Sequence, residues 1–137
     1  MNIRPYRRKA YYYETDRMGV IHHSNYIRFL EEARCEWLDI NNISMSTLEA
    51  NKITIPTLEV KVKYKNHVTS GDTITITPKI ADFNGVRMTI TYDVIDIKNG
   101  KTVIEAETKH CFTDINLKPI NLKKYNEEFY NTFINLI

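Results

Sequence analysis

The spacing of hydrophobic and polar positions changes period twice along this 137-residue chain. From Asn25, apolar residues recur at intervals of three and four (Tyr26, Phe29/Leu30, Ala33, Trp37/Leu38), with Arg28, Glu32, Arg34, Glu36 and Asp39 between them. That spacing predicts one long amphipathic helix, ended by Asn41–Asn42. Before it, Ile3 to Tyr13 reads as a strand; Tyr11, Tyr12 and Tyr13 in succession must face alternate sides, so at least one lies on a covered outer face. Ser44 to Lys52 predicts a short helical turn with Ser46 as cap and Leu48 inward. From Pro56 the period becomes two: Leu58, Val60, Val62 and Tyr64 alternate with Glu59, Lys61, Lys63 and Lys65, a half-buried strand with a charged outer face. Ile74, Ile76 and Ile80 continue the alternation beyond a Thr69–Asp72 turn, with Pro78 marking a bulge or an edge position. Val86, Met88, Ile90, Tyr92 and Val94 form the next inward set, after a turn at Asp82–Gly85.

The pattern also dictates the register of the last hairpin, closed at Asn99-Gly100 onto Thr102–Thr113. A two-residue loop would mix the two faces, setting Val94 opposite Glu105. A three-residue loop, Lys98 to Gly100, sets Val94 opposite Ile104, Tyr92 opposite Ala106 and Val86 opposite Phe112. The expected turn is therefore type I with Gly100 left-handed in a bulge. Beyond Pro119, Tyr125, Phe129, Tyr130, Phe133 and Ile134 lie at helical spacing and predict a short helix across 120–137, on the outside or against a partner subunit.

One strand, one long helix and four strands joined by short turns exclude a doubly wound fold. A single five-stranded antiparallel sheet must wrap the one helix, an α+β architecture in one domain spanning 1–137. Hydrophobic residues at 42% and charged residues at 26% are ordinary for a globular protein, and a formal charge of +2 is too small to argue for nucleic acid. The basic cluster Arg4, Arg7, Arg8 and Lys9 is followed by no apolar run of signal-peptide length, and no stretch reaches the roughly 20 apolar residues of a membrane span; a cytoplasmic location is expected. Cys35 and Cys111 form no metal-like cluster and read as packed free thiols.

The chemistry concentrates between Tyr13 and Trp37. Asp16 ends a strand-like run, Gly19 permits a tight turn, and Ser24 or Asn25 suits a helix N-cap. The first turn of a helix offers unpaired N–H groups, which stabilise an oxygen gaining negative charge, and a carboxylate held opposite has a polarised carbonyl to act on. That outlines an acyl-transfer site. The structural alternative for Asp16 is a turn aspartate capping its own loop; for His23 it is a loop histidine satisfied locally. Alternation of direction turns His22 away from His23, and adjacent histidines with Asp16 make a poor metal site, so no metal is expected. Glu31 and Arg34, three apart on the helix, suit an ordinary ion pair.

Asp16-x-x-Gly19-Val20-Ile21-x-His23-x-x-Tyr26, continued by Glu31-x-Ala33-Arg34, resembles the signature of the 4-hydroxybenzoyl-CoA thioesterase group of hotdog-fold proteins, and within it the branch of Tol–Pal-associated acyl-CoA thioesterases. One departure is His22, at a position commonly aromatic. The resemblance implies a hotdog fold and hydrolysis of an acyl-CoA to free acid and coenzyme A. It implies Asp16 as nucleophile or general base, and the helix start at His23 as the oxyanion site. Gly19, Tyr26 and Glu31 belong to the motif and are expected near the substrate, with Glu31 lining the pocket base. In resembling enzymes the hairpin after the third strand contacts the nucleotide, which here implicates Asn84, Gly85 and Arg87, with Lys65 and Lys63 as further cations. The substrate is the coenzyme A ester; no metal or redox cofactor is implied. A homodimer joined edge to edge, or a homotetramer, is expected. An acyl-carrier-protein thioesterase, with Arg4–Lys9 as the rim for an acidic carrier, and a non-catalytic acyl-CoA binding module on the same fold remain alternatives.

Overall fold

The structure is a computed structural model that describes residues 4–137. It has five strands, β1 (Tyr6–Lys9), β2 (Thr57–Tyr64), β3 (Thr73–Phe83), β4 (Arg87–Asp96) and β5 (Thr102–Cys111), and four helices, α1 (Asn25–Ile40), α2 (Met45–Ala50), α3 (Leu122–Tyr125) and α4 (Glu127–Ile134). The strands form one antiparallel sheet in the order β1-β3-β4-β5-β2. This is the hotdog arrangement, with α1 as the filling. The α1 residues that are buried are Tyr26, Phe29, Leu30, Ala33, Trp37 and Leu38, the stripe that the helical period requires. They meet alternate residues of β3, β4 and β5, among them Ile74, Ile76, Ile90, Val94 and Ile104, each almost fully buried.

β1 is shorter than its sequence pattern. It stops at Lys9, and Tyr12–Glu14 is a 3-10 turn with Tyr12 and Tyr13 about four-fifths exposed. Three tyrosines in a row resemble β residues by propensity, but here the chain must leave the sheet to reach α1. Ile3 lies outside the described residues. The cap of α2 is Ser44, whose Oγ accepts from Thr47 N–H, rather than Ser46; Leu48 points inward. Pro78 faces the core two residues past Ile76, where β1 stops pairing, so its missing N–H interrupts no ladder on that side; a bulge follows between Ile80 and Asp82.

The β4–β5 register agrees with the pattern: Val94 opposes Ile104 and Tyr92 opposes Ala106. The turn that produces it differs. Asp96 pairs with Lys101 around a four-residue loop, Gly100 N–H donates to the Asp96 carbonyl (2.8 Å), and Gly100 has φ +71°. An extra residue at Val103, where the register shifts, then restores the facing pairs. Hydrophobic matching determines the register here, and the turn accommodates it.

β2 sits at the sheet edge beside β5, and Leu58, Val60 and Tyr64 are substantially exposed, so the strand is more open than the half-buried one expected from its alternation. Its charged positions align with β5 as Lys61–Glu107 and Lys63–Glu105, and Lys65, just past the strand, approaches Glu105 at 3.8 Å. Across 120–137 the chain forms two short helices. Phe133 is fully buried against Phe83 and Phe112, and Leu122 N–H donates to the Gly85 carbonyl (2.8 Å), so this tail closes the protein's own core. Among the described residues no helix is long and apolar enough to cross a membrane.

Candidate active site

The segment between β1 and α1 builds a cleft, and Arg8 anchors it. The Arg8 guanidinium donates to both oxygens of Glu14 (2.9 and 2.5 Å) and to Glu32 Oε1 on α1 (2.9 Å), while lying over the Phe29 ring at 4.4 Å. Burial alone would weaken its hold on its proton; the hydrogen bonds to the two carboxylates more than offset this and raise its pKa. Tyr6 donates to the same Glu32 oxygen (2.9 Å), and its own pKa is pushed up to about 12 by burial and by that carboxylate. Glu14, thus fixed, uses its backbone carbonyl to accept from His22 N–H (2.9 Å) and from Asn25 Nδ2 (2.8 Å). The start of α1 is therefore tied to the end of β1.

Between those ties runs a tight hairpin. Gly19 N–H donates to the Asp16 carbonyl (3.0 Å), Asp16 N–H to the Val20 carbonyl (2.8 Å), and Gly19 has φ +81°. The three-residue turn ending in a left-handed glycine that was expected at Lys98–Gly100 occurs here, at Arg17–Gly19, while Gly100 is left-handed in a longer loop. Asp16 Oδ1 accepts from Met18 N–H (2.7 Å), so the aspartate does cap its loop. Oδ2 has no partner among the described residues, and the carboxylate lines the cleft.

Helix α1 begins at Asn25 with Ser24 as cap residue, but the Ser24 hydroxyl does not cap the helix; it lies 2.8 Å from His22 Nδ1. Asn25 N–H is taken by the His22 carbonyl (3.0 Å) and Ser24 N–H by His22 Nδ1 (3.2 Å). The His23 N–H, one residue earlier, has no acceptor among the described residues. Its own carbonyl accepts from the Tyr64 hydroxyl (3.0 Å), which brings the end of β2 to the helix start. The two histidine rings stack at 4.1 Å, so His22 does not turn away from His23: in a turn, unlike a strand, neighbouring side chains share a side.

The cleft, of about 320 Å³, is lined by Asp16, His23, Tyr26, Tyr64, Lys65 and His67, with Met18, Val20 and Ile21 as apolar wall. Tyr26 is nearly fully buried, and desolvation pushes its pKa up to about 12, so it is neutral at ordinary pH. Lys65 stands at the rim, its Nζ 3.8 Å from Glu105.

The other candidates are elsewhere. Glu31 is exposed on α1, beside a separate cavity, and makes no ion pair with Arg34 within the 4.0 Å of such contacts. Asn84, Gly85 and Arg87 occupy the turn at the far end of β4, roughly 30 Å along the strand from the Asp96 end, which lies near His67. Asn84 Oδ1 accepts from Val86 and Arg87 N–H (2.9 and 2.8 Å), and a Cβ on Gly85 would sit 3.1 Å from Tyr130 Cε2. That turn is folded under the C-terminal tail, so within this chain it does not join the cleft. In the basic run, Arg4 pairs with Glu36 (3.1 Å) and Arg8 with Glu14 and Glu32, while Arg7 and Lys9 are exposed and form no ion pair among the described residues. Tyr64, Asn66 and His67 line the cleft without having been singled out in the sequence. They follow a charged edge strand, and only the long-range contact of Tyr64 with His23 gives them their place.

Comparison with known proteins agrees with this geometry. The profile described as the thioesterase-like superfamily matches residues 12–129. A protein of Aquifex aeolicus, provisionally named an esterase, is 34% identical over 106 residues, covering 77% of this chain and 81% of its own. The acyl-CoA thioester hydrolase YbgC of Escherichia coli is 28% identical over 117 residues, 85% of this chain and 87% of that one. In fold, the chain superposes on a DHNA-CoA thioesterase from Staphylococcus aureus with a TM-score of 0.90 at 24% identity, covering 98% of this chain and 91% of the other. The chain belongs to the thioesterase-like superfamily. It is a hotdog-fold thioester hydrolase.

Proposed function

We propose that this hydrolase acts on acyl-CoA, releasing a free acid and coenzyme A, with Asp16 as its catalytic carboxylate and the His23 N–H as its oxyanion donor. The observation that carries the reading is the cleft in which an unpartnered carboxylate oxygen and an unpartnered amide N–H stand at the two ends of one short loop. Names of relatives such as the acyl-CoA thioester hydrolase of E. coli support the substrate class.

The chemistry then follows. As a general base, Asp16 takes a proton from water while the water oxygen bonds to the thioester carbon. The carbonyl oxygen becomes an oxyanion facing the His23 N–H, in an environment where a fixed donor outcompetes mobile water. Collapse breaks the carbon–sulfur bond, and the thiolate recovers the proton. As a nucleophile, Asp16 would instead expel the thiolate to form a mixed anhydride, which water opens to the acid and the original carboxylate. Both routes consume one water per thioester and use no metal or redox cofactor. Tyr26 lies along the apolar side of the cleft as a neutral hydrogen-bonding group, and Lys65 supplies a positive rim for the phosphate-bearing portion of coenzyme A. A second copy of the chain, paired along the exposed β2 edge, completes the reading as a homodimer.

The test is thiol release from short, long and aromatic acyl-CoAs by the native protein and by Asp16→Asn. The variant is expected to lose a hundredfold or more in kcat, about 3 kcal/mol of barrier, with an unchanged melting temperature. Equal rates would remove Asp16 from the mechanism. Binding of every ester without turnover, by the native protein, would turn the assignment to a carrier-linked substrate or to a binding module.

A further inference from the structure

The three most exposed large apolar or aromatic side chains among the described residues, Tyr12, Tyr13 and Met18, each about four-fifths exposed, stand in one short stretch beside the Asp16 cleft. Tyr11, nearly half exposed, extends the group. Its ring lies parallel to that of Tyr13, with centroids 5.7 Å apart and planes 3° from coplanar orientation. Neither the Tyr12 nor the Tyr13 hydroxyl has a hydrogen-bond partner among the described residues. A single exposed tyrosine is ordinary; an exposed aromatic group with an apolar neighbour marks a contact surface.

The stretch is held in shape from beneath. Glu14 N–H donates to the Tyr11 carbonyl (2.9 Å) and Thr15 N–H to the Tyr12 carbonyl (3.0 Å). The buried Glu14 carboxylate takes the Tyr11 N–H (2.9 Å) and the Arg8 guanidinium. The backbone under the rings is therefore already ordered, so a contact made by them costs little further entropy.

The charge around the tyrosines has one sign. The first 30 residues hold six basic side chains (Arg4, Arg7, Arg8, Lys9, Arg17 and Arg28) against two acids (Glu14 and Asp16), although the whole chain is only +2. Arg7, Lys9 and Arg17 bracket the rings, are exposed, and form no ion pair among the described residues. The carboxylates nearby are engaged. Arg8 holds Glu14 and Glu32, Lys98 holds Asp72 (3.2 Å) on the loop hydrogen-bonded to Ala10, and Asp16 lines the cleft. The surface thus offers cations and phenols with no competing free anion. A phenol has an apolar ring and a wet hydroxyl, which suits it to the headgroup layer of a bilayer, and unpaired Lys and Arg are attracted to anionic lipid. Rings standing this far into solvent fit a fluid layer that yields to them; a folded protein would have to present a hollow of matching shape.

We propose that the Tyr11–Tyr13 turn and the Met18 hairpin tip, with Arg7, Lys9 and Arg17, form a surface that docks reversibly on an anionic lipid bilayer. The rings and Met18 enter the headgroup layer and the three cations meet lipid phosphates and carboxylates. Because Met18 also walls the Asp16 cleft, docking brings the cleft mouth to the membrane surface, where amphiphilic acyl esters collect. That consequence rests on the reading of Asp16 as catalytic; the docking does not.

The test is co-sedimentation with vesicles, which reads binding without turnover. Vesicles of phosphatidylcholine with about one quarter phosphatidylserine are compared with pure phosphatidylcholine, and each at low salt and at about 0.5 M salt. The native protein is expected to bind the anionic vesicles saturably, and at least about tenfold more weakly when the anionic lipid is left out or the salt is raised. Tyr12→Ser with Tyr13→Ser, and separately Lys9→Gln with Arg17→Gln, should each weaken binding about tenfold. Lys118→Gln with Lys124→Gln, exposed at the end of the sheet away from the cleft, should leave it within about twofold. Failure of the native protein to sediment, or equal binding to neutral vesicles, would overturn the proposal. So would native-like binding by the tyrosine variant, which would reduce the effect to charge alone, or an equal loss in the Lys118/Lys124 control. A tyrosine variant that keeps vesicle binding but loses mass in light scattering would assign the patch to a second copy instead. Should the tyrosine variant fail to fold, the Lys9/Arg17 variant against the control decides alone.

Discussion

Lowering the pH through the ordinary histidine range loads a proton onto a ring that the folded protein disfavours. His110 is 2% exposed and titrates near 4 in the fold, because burial and then the Arg34 charge oppose the imidazolium; in an unfolded chain it titrates near 6.5. Between those values the unfolded state binds more protons, so stability must fall as pH drops from about 6.5 to about 4, and this group adds nothing further below that. The whole window is worth on the order of 3 kcal/mol. Urea melts at pH 7.5 and 4.5 should show the loss, and His110→Gln should flatten it; a native profile with no slope across that window would contradict the assignment. The inward position of His110 was legible in the sequence, since it follows Ile104, Ala106 and Thr108 at period two. What its neighbours would be was not, because Arg34 and Tyr92 come from other elements. Gly85 teaches the same lesson in reverse. Its Asn-Gly turn was evident, but Tyr130, which covers it, lies 45 positions on and carries no local mark of that contact.

Among the elements, α1 and the strand hairpins were readable because each has a period that one buried face imposes. The turns were less so. Gly100 is left-handed as anticipated, but in a four-residue loop and not the three-residue one, since any turn that satisfies the facing pairs is acceptable and the local residues permit several. The loop that carries Asp16 owes its shape to β1, through Arg8 and Glu14. Arg8→Met should therefore act twice. It leaves the nearly buried Glu14 carboxylate unpaired, for a loss of about 3 kcal/mol in thermal or urea melts, and it frees the Glu14–His22 tie, lowering activity in the protein that remains folded. A variant with unchanged stability would mean that the Arg8–Glu14–Glu32 cluster is merely a solvated surface network.

At the scale of the whole molecule, the sheet has one short edge at β1 and one long one at β2. The β2 edge exposes Leu58, Val60 and Tyr64 beside a charged ladder, the kind of border that invites another strand. The alternation of β2 was plain in the sequence, but alternation cannot tell a strand covered by its own helix from one left for a second copy. Light scattering of the native protein is expected to give a dimer mass, and Val60→Lys, which sets a charge in the joint, to shift it toward the monomer at micromolar concentration. A native monomer at all concentrations would remove the dimer from the reading.

The pairing of β1 with β3 also bears on how quickly the protein reaches this state. The hairpins β3–β4 and β4–β5 join near neighbours in the chain, whereas Tyr6 meets Ile76 only after α1, α2 and β2 have been traversed. Closing so long a loop before any contact rewards it is entropically slow, so the local hairpins are the natural nucleus and β1 docks late. A disturbance in β1 such as Arg8→Met then speeds escape from the native state and leaves the rate of reaching it nearly untouched. The residues that shape the Asp16 loop are thus among the last to arrive and the first to leave.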